Sequence, residues 1–129
     1  MANDEHLDIL KQGSKVWNRW RKDHAEIGPQ ANRPKVGKGP DFSGANLRGV
    51  QLGYVEEIIN LSFADFRKTD LRKADLTVAN LIGADLSGAD LSEANLRDAL
   101  LDNAHLCSAK LCKTNLARAD LNMAFLKRL

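Results

Sequence analysis

The sequence predicts an all-β solenoid with an N-terminal α-helical cap. Three observations carry that expectation. From Leu61 to Leu126 every fifth residue is large and apolar, fourteen times without a miss, Phe66 being the one aromatic among leucines. Two residues before each sits a small one, alanine at eleven positions from Ala64 to Ala124; Thr69 and Thr114 are near equivalents, and Ile59 is the larger exception. The first 40 residues lack this repeat and hold both tryptophans, Trp17 and Trp20. A strand buries every second residue, so steps of five would throw successive leucines onto opposite faces. A helix turns about 100° per residue, so five steps rotate roughly 140° and scatter them round the axis. Asp, Asn, Ser, Thr and Gly also fill too many intervening positions for a long helix. A backbone that itself repeats every five residues is a solenoid, in which each unit buries its apolar side chains by stacking on its neighbours.

The repeats read small-(Asp/Asn)-Leu-x-x, most plainly in Ala84-Asp85-Leu86-Ser87-Gly88, Ala89-Asp90-Leu91-Ser92-Glu93 and Ala94-Asn95-Leu96-Arg97-Asp98. This pattern resembles the pentapeptide repeat family over about two thirds of the chain. The resemblance implies a right-handed quadrilateral β-helix, one pentapeptide per side and about four coils in all. It also implies that the leucine and the small residue point inward. Physically, a narrow solenoid holds one large side chain per side, so the other inward position must be small. Leu61, Leu81, Leu101 and Leu121 would then stack at the interstrand spacing of about 4.8 Å.

The chain divides into a cap at 1–28, a linker at 29–40 and the repeats at 41–129. Residues 3 to about 25 read as helix. Asn3 or Asp4 caps the start, and Asp4, Glu5 and Asp8 suit the positive end of the helix. Leu7, Leu10, Trp17 and Trp20 lie near one face. Gly13-Ser14 either ends one helix and caps a second, with Gly13 at C′ and Ser14 as N-cap, or marks a kink in one helix. The tryptophans are expected to cover the apolar side chains and open edges of the first coil, in preference to forming an aromatic ligand site. The segment Leu10-Lys11-Gln12-Gly13 with Trp17-Asn18-Arg19-Trp20-Arg21 resembles the heads of cyanobacterial-type pentapeptide repeat proteins, which implies no activity. Gly28-Pro29, Pro34, Gly37 and Gly39-Pro40 make 26–40 a tether, basic at Arg33, Lys35 and Lys38 and without a phosphate-loop pattern.

Repeats begin at Asp41-Phe42 and continue through Leu47 and Leu52. Leu52 to Leu61 is then nine residues, one short of two repeats. The break at 53–60 is either an outward loop of about four extra residues or the loss of one residue from a side. A regular side would bring Glu56 or Glu57 near an inward position, where an unpaired carboxylate is costly, so the loop is favoured, anchored by Ile58 or Ile59. It carries the only tyrosine, Tyr54.

A period of twenty arranges the outward residues in columns. Arg67, Ser87, Cys107 and Lys127 form one, and Lys68, Gly88, Ser108 and Arg128 the next. Arg72, Ser92 and Cys112 follow, then Lys73, Glu93 and Lys113. Asp or Asn dominates the position before the leucine. A mutually screened surface is the simplest account of these charges. The last coil is more apolar outside, at Leu100, Met123 and Phe125. Either the tail at Lys127-Arg128-Leu129 folds over it or another chain stacks there. A monomer is favoured, with an end-to-end homodimer as the alternative. The expected interaction surface is therefore Tyr54, Glu56 and Glu57 at the break, Arg67, Lys68, Arg72 and Lys73 on the basic sides, and Leu100, Met123 and Phe125 at the end.

Catalytic chemistry is not expected. His6, His24 and His105 are scattered, and His105 shares a column with Asp85 as a surface pair at most. Cys107 and Cys112 show no metal-ligand spacing, and their places on adjacent sides exceed the separation of about 7 Å that a disulfide spans. Unpaired thiols and the lack of a long apolar run suit the cytoplasm and no membrane contact. No cofactor is expected, and the partner expected is another protein. The net charge of +2 over 129 residues argues against direct nucleic-acid binding. The second function considered rests on the family: some members mimic DNA and modulate type II topoisomerases. Residues 41–129 carry twelve acidic and eleven basic residues, weak for such mimicry.

Overall fold

The computed structural model describes residues 2–24 and 37–127. Pro29, Arg33, Pro34 and Lys35 of the tether, and Arg128 and Leu129 of the tail, lie outside the described residues.

One repeat shows why the chain coils. The Asp85 N–H donates to the Ala64 carbonyl of the coil before, at 2.9 Å, and the Leu86 N–H to the His105 carbonyl of the coil after, at 2.6 Å. The Gly88 N–H donates to Cys107 at 2.9 Å, and the Ala89 N–H turns back to Leu86 at 3.0 Å and closes the corner. That leaves the Ser87 N–H, which Asp85 Oδ1 accepts at 3.0 Å. Every donor of the repeat is thus satisfied, as buried backbone requires. The same carboxylate or amide bond recurs at Asn60, Asp65, Asp70, Asp75, Asn80, Asp90, Asn95 and Asn115. This is the physical reason for Asp or Asn before the leucine, since either side chain reaches an N–H two residues on.

The pairing register is twenty residues, and each paired position is a single parallel bridge rather than a longer strand. Asn60, Asn80, Leu100 and Asp120 line one side, and Asp65, Asp85, His105 and Phe125 another. Four such positions occur per turn. The leucines from Leu61 to Leu106 and the alanines from Ala64 to Ala109 are buried. The two threonines in alanine positions use their hydroxyls inside: Thr69 donates to Phe42 O at 2.9 Å and Thr114 to Leu91 O at 2.7 Å. The second residue after each leucine turns the corner in the left-handed region, φ 58° at Lys68 to 64° at Val78 where it is not glycine. A β-branched residue is the least suited to that conformation.

The first coil settles the register break. Its bridges run Asp41 to Asp65, Asn46 to Asp70 and Gln51 to Asp75, all 24 residues apart, and the spacing returns to twenty at Asn60. Four extra residues therefore leave the coil between Gln51 and Asn60, as an outward loop. Ile59 is the anchor, buried in a small-residue position, whereas Ile58 is exposed. The described end of the tether is less free than a linker: Gly37 N–H donates to Gly83 O at 3.1 Å and Gly39 N–H to Phe63 O at 2.8 Å.

The cap is two helices, α1 Asp4–Leu10 and α2 Ser14–Asp23. Asn3 caps α1, its side chain accepting from the His6 N–H at 3.1 Å. The roles expected at the junction are corrected. Lys11 closes α1, Gly13 is the N-cap of α2 and Ser14 its first residue. Gly13 has φ 102°, so the reversal between buried Leu10 and buried Trp17 falls on the residue that tolerates it. Trp17 packs 5.4 Å from Phe42, and Phe42 stacks on Phe66 at 5.0 Å, closing the end of the core with rings. Cap groups also replace a preceding coil on two sides. Asp41 donates to His6 Nδ1 at 3.0 Å and accepts from the Asn3 N–H at 2.9 Å. Asn60 donates to Asn18 Oδ1 at 2.7 Å and accepts from Trp17 Nε1 at 2.6 Å.

Three outcomes follow from this packing. Leu86→Ala removes a fully buried side chain and costs about 3 kcal/mol in urea unfolding, whereas Leu126→Ala, 40% exposed, costs less than about 1 kcal/mol. Val78→Asn relieves the left-handed corner and gains about 1 kcal/mol in the same measurement. Burial holds His6 below its ordinary pKa of 6.5, with Arg21 and His24 adding to that and Glu5 and Asp41 opposing it. Its neutral ring is also needed as acceptor for Asp41. The unfolded chain therefore takes up the proton first, so this stabilisation is complete above pH 6.5 and is lost as pH falls below it. Thermal melts at pH 7.5 and 5.5 would show the drop, and His6→Gln would flatten it.

Candidate interaction surface

The expected surface residues fall into separate groups. The loop group sits against α2. Tyr54 is 55% and Val55 78% exposed. Glu56 pairs with Lys15 at 2.7 Å, and Glu57 accepts from Asn18 Nδ2 at 2.8 Å. The same Asn18 amide donates to Ile58 O at 2.7 Å. Arg21 donates to Ser62 O at 3.0 Å. The loop is thus pinned by the cap, and its carboxylates are already engaged. Sequence reasoning missed these contacts: Asn18 and Arg21 both lie in α2 beside Trp17 and Trp20, but only the fold brings Asn18 to the loop and Arg21 to the coil just after it.

The basic residues divide between two depressions. Arg67 and Lys68 line one of about 450 Å³ with Ala2, Asp4, Ser43 and Gly44. Arg72 and Lys73 line another of about 350 Å³ with Arg48, Ser92, Glu93, Cys112 and Lys113. Arg67 and Arg72 are each held by the aspartate two residues before. Arg72 donates through Nε and Nη2 to Asp70 at 2.9 and 2.7 Å, and Arg67 binds Asp65 in the same way at 2.9 and 2.8 Å. That hydrogen bond from Arg72 pulls Asp70 down to about 2. At Asp65 burial pushes the carboxyl up, but the Arg67 contacts outweigh it and leave it below the ordinary range. Along the axis Lys73 lies 3.8 Å from Glu93, and Arg118 Nη2 donates to Asp98 Oδ2 at 2.9 Å. Among the described residues Arg48 and Lys113 have no carboxylate partner. Arg48 was hidden from the column reading because the 24-residue first coil shifts its register onto that of Arg72.

The apolar group lies round the last coil: Met123 is 77% and Phe125 56% exposed, and Leu100 is partly so. His105 does not make the Asp85 contact; its ring meets Phe125 edge-on at 4.6 Å. Cys107 and Cys112 are free thiols. Asp102 Oδ1 is buried without a hydrogen-bond partner among the described residues, in which no group of three His, Cys, Asp or Glu side chains could hold a metal ion. No described helix is long and apolar enough to cross a membrane.

The repeat geometry matches known proteins. The model of the family described as pentapeptide repeats (8 copies) matches residues 59–98 and again 89–128. The chain therefore belongs to the pentapeptide repeat family. It is similar to the crystal structure of a pentapeptide repeat protein from the cyanobacterium Cyanothece 51142, at 40% identity and a TM-score of 0.62, over 67% of this chain and 56% of that one. It is also similar to HetL, a pentapeptide repeat protein involved in heterocyst differentiation regulation from the cyanobacterium Nostoc sp. strain PCC 7120. There the identity is 32% and the TM-score 0.35, over 68% of this chain and 49% of that one. The chain thus spans about half the length of these two solved relatives. Among curated proteins none matches it.

Asn18→Ala would release the loop from α2. The expected result is a loss of about 1–3 kcal/mol together with faster amide exchange confined to 54–60, read by hydrogen–deuterium exchange.

Proposed function

We propose that this chain is a non-catalytic protein-interaction or scaffold module, working in the cytoplasm as a monomer on a right-handed quadrilateral β-helix. The observation that supports it most is the coil-to-coil ladder. Its hydrogen bonds hold outward side chains at fixed spacing while leucines and alanines fill the interior. A filled core leaves the outside as the working surface, and repeat solenoids bind partners along such surfaces. The pattern-breaking outward groups, at the loop, the Arg48 depression and the last coil, are where recognition would concentrate. Topoisomerase modulation by mimicry has less support. Asp65 and Asp70 are neutralised by arginine, and twelve acidic against eleven basic residues over 41–129 leave no strong acidic field on the surface.

The test is covalent capture from native extract with the chain and three surface variants, Tyr54→Ala/Val55→Ala, Arg72→Glu/Lys73→Glu and Met123→Ser/Phe125→Ser. A protein captured by the unaltered chain and lost from one variant of unchanged melting temperature is the expected outcome. Identical capture by all four, or none, overturns the module.

A further inference from the structure

The depression between Arg48 and Lys113 crosses four successive coils. Arg48 comes from the first, Arg72 and Lys73 from the second, Ser92 and Glu93 from the third, Cys112 and Lys113 from the fourth. Coils about 4.8 Å apart place the first and fourth rungs about 14 Å from one another, which an extended chain covers in four to five residues at about 3.3 Å each. Gly49 turns the corner of the first coil, and the space beyond its Cα is open. Four cations line the groove against one carboxylate, Glu93, which Lys73 approaches at 3.8 Å. The neighbouring aspartates offset the charge in the middle of the groove only, where Asp90 also lies 3.9 Å from Arg72. Asp70 is engaged twice by Arg72, and Asp90 accepts from the Ser92 N–H. Arg48 and Lys113, at opposite ends, have no carboxylate partner among the described residues.

We propose that this groove, from Arg48 to Lys113, is a docking site for an extended acidic segment of a partner protein. Such a segment lays its carboxylates at the two ends of the groove, on Arg48 and Lys113, and a neutral or basic residue opposite Glu93. The interruption at the third coil is what selects a peptide. A phosphate backbone carries charge at every step and meets Glu93 and Asp90 in the middle of the groove, whereas a peptide places its charges only where cations wait. Charge complementarity of this kind sets partner choice and association rate and weakens with salt.

The proposal rests on the interaction-module reading, and a binary titration separates the two. The probe is the labelled peptide Gly-Glu-Glu-Ser-Lys-Ser-Glu-Glu-Gly, with its Gln-for-Glu counterpart and a short DNA duplex as the other arms, followed by fluorescence anisotropy. The acidic peptide is expected to bind saturably, more tightly than the neutral one and than the duplex. Arg48→Glu/Lys113→Glu weakens it by about tenfold or more, and Lys11→Glu/Lys22→Glu on the cap leaves it unchanged. If the reversed variant does not fold, Arg48→Gln/Lys113→Gln carries the test, with a smaller weakening expected. Equal binding of acidic and neutral peptides, equal loss in the cap variant, no loss in the groove variants, or preference for the duplex overturns the docking site. Any of those results leaves capture through the loop or the last coil standing.

Discussion

The structure depends on one constraint, that a repeat of five residues must find partners for five N–H groups while turning a corner. Four are met by backbone carbonyls, two on the next coil, one on the preceding coil and one within the turn. The fifth, on the residue after the leucine, is met by the Asp or Asn side chain just before it. This couples surface composition to folding: residues that look like a solvated acidic column are part of the backbone's own hydrogen bonding. The leucine fills the axis and the alanine keeps it narrow, but neither would hold the corner without that side chain or water in its place.

A repeating ladder has ends, and the first coil shows what replaces a missing neighbour. Among the described residues no preceding coil offers carbonyls and amides to Asp41 and Asn60, and side chains of the cap take their place: an imidazole nitrogen, an indole N–H and a carboxamide. The aromatic stack of Trp17, Phe42 and Phe66 does for the apolar floor what another set of leucines would do. At the other end of the described residues Leu111, Leu116 and Leu121 are only partly buried, less enclosed than the leucines beneath the cap.

Legibility followed period. The fivefold run named the buried residues from Leu61 to Ala109, and the cost of burying Glu56 or Glu57 pointed to an outward loop, which the 24-residue register bears out. Three features were not legible. The roles of Gly13 and Ser14 depend on where the chain must reverse to bury both Leu10 and Trp17, a tertiary demand with no local signal. The groove was invisible because columns counted backwards in twenties from Leu61 miss Arg48, which joins Arg72 only once four looped residues are discounted. His105 failed for a related reason: a shared column contains two neighbours, and an edge-on ring contact with Phe125 prevailed over Asp85.

Self-pairing also decides where a partner could find purchase. Several charged columns are closed locally, Arg72 on Asp70 by a two-residue reach and Arg118 on Asp98 by a twenty-residue one. Exposed pairs of this kind add little stability, at most about 1 kcal/mol each. Their larger effect is to silence regular parts of the surface, because a side chain bonded to its neighbour offers less to anything arriving from outside. Among the described residues Arg48 on the enlarged first coil and Lys68, Lys110 and Lys113 on regular coils form no such pair, and the loop adds exposed Tyr54 and Val55.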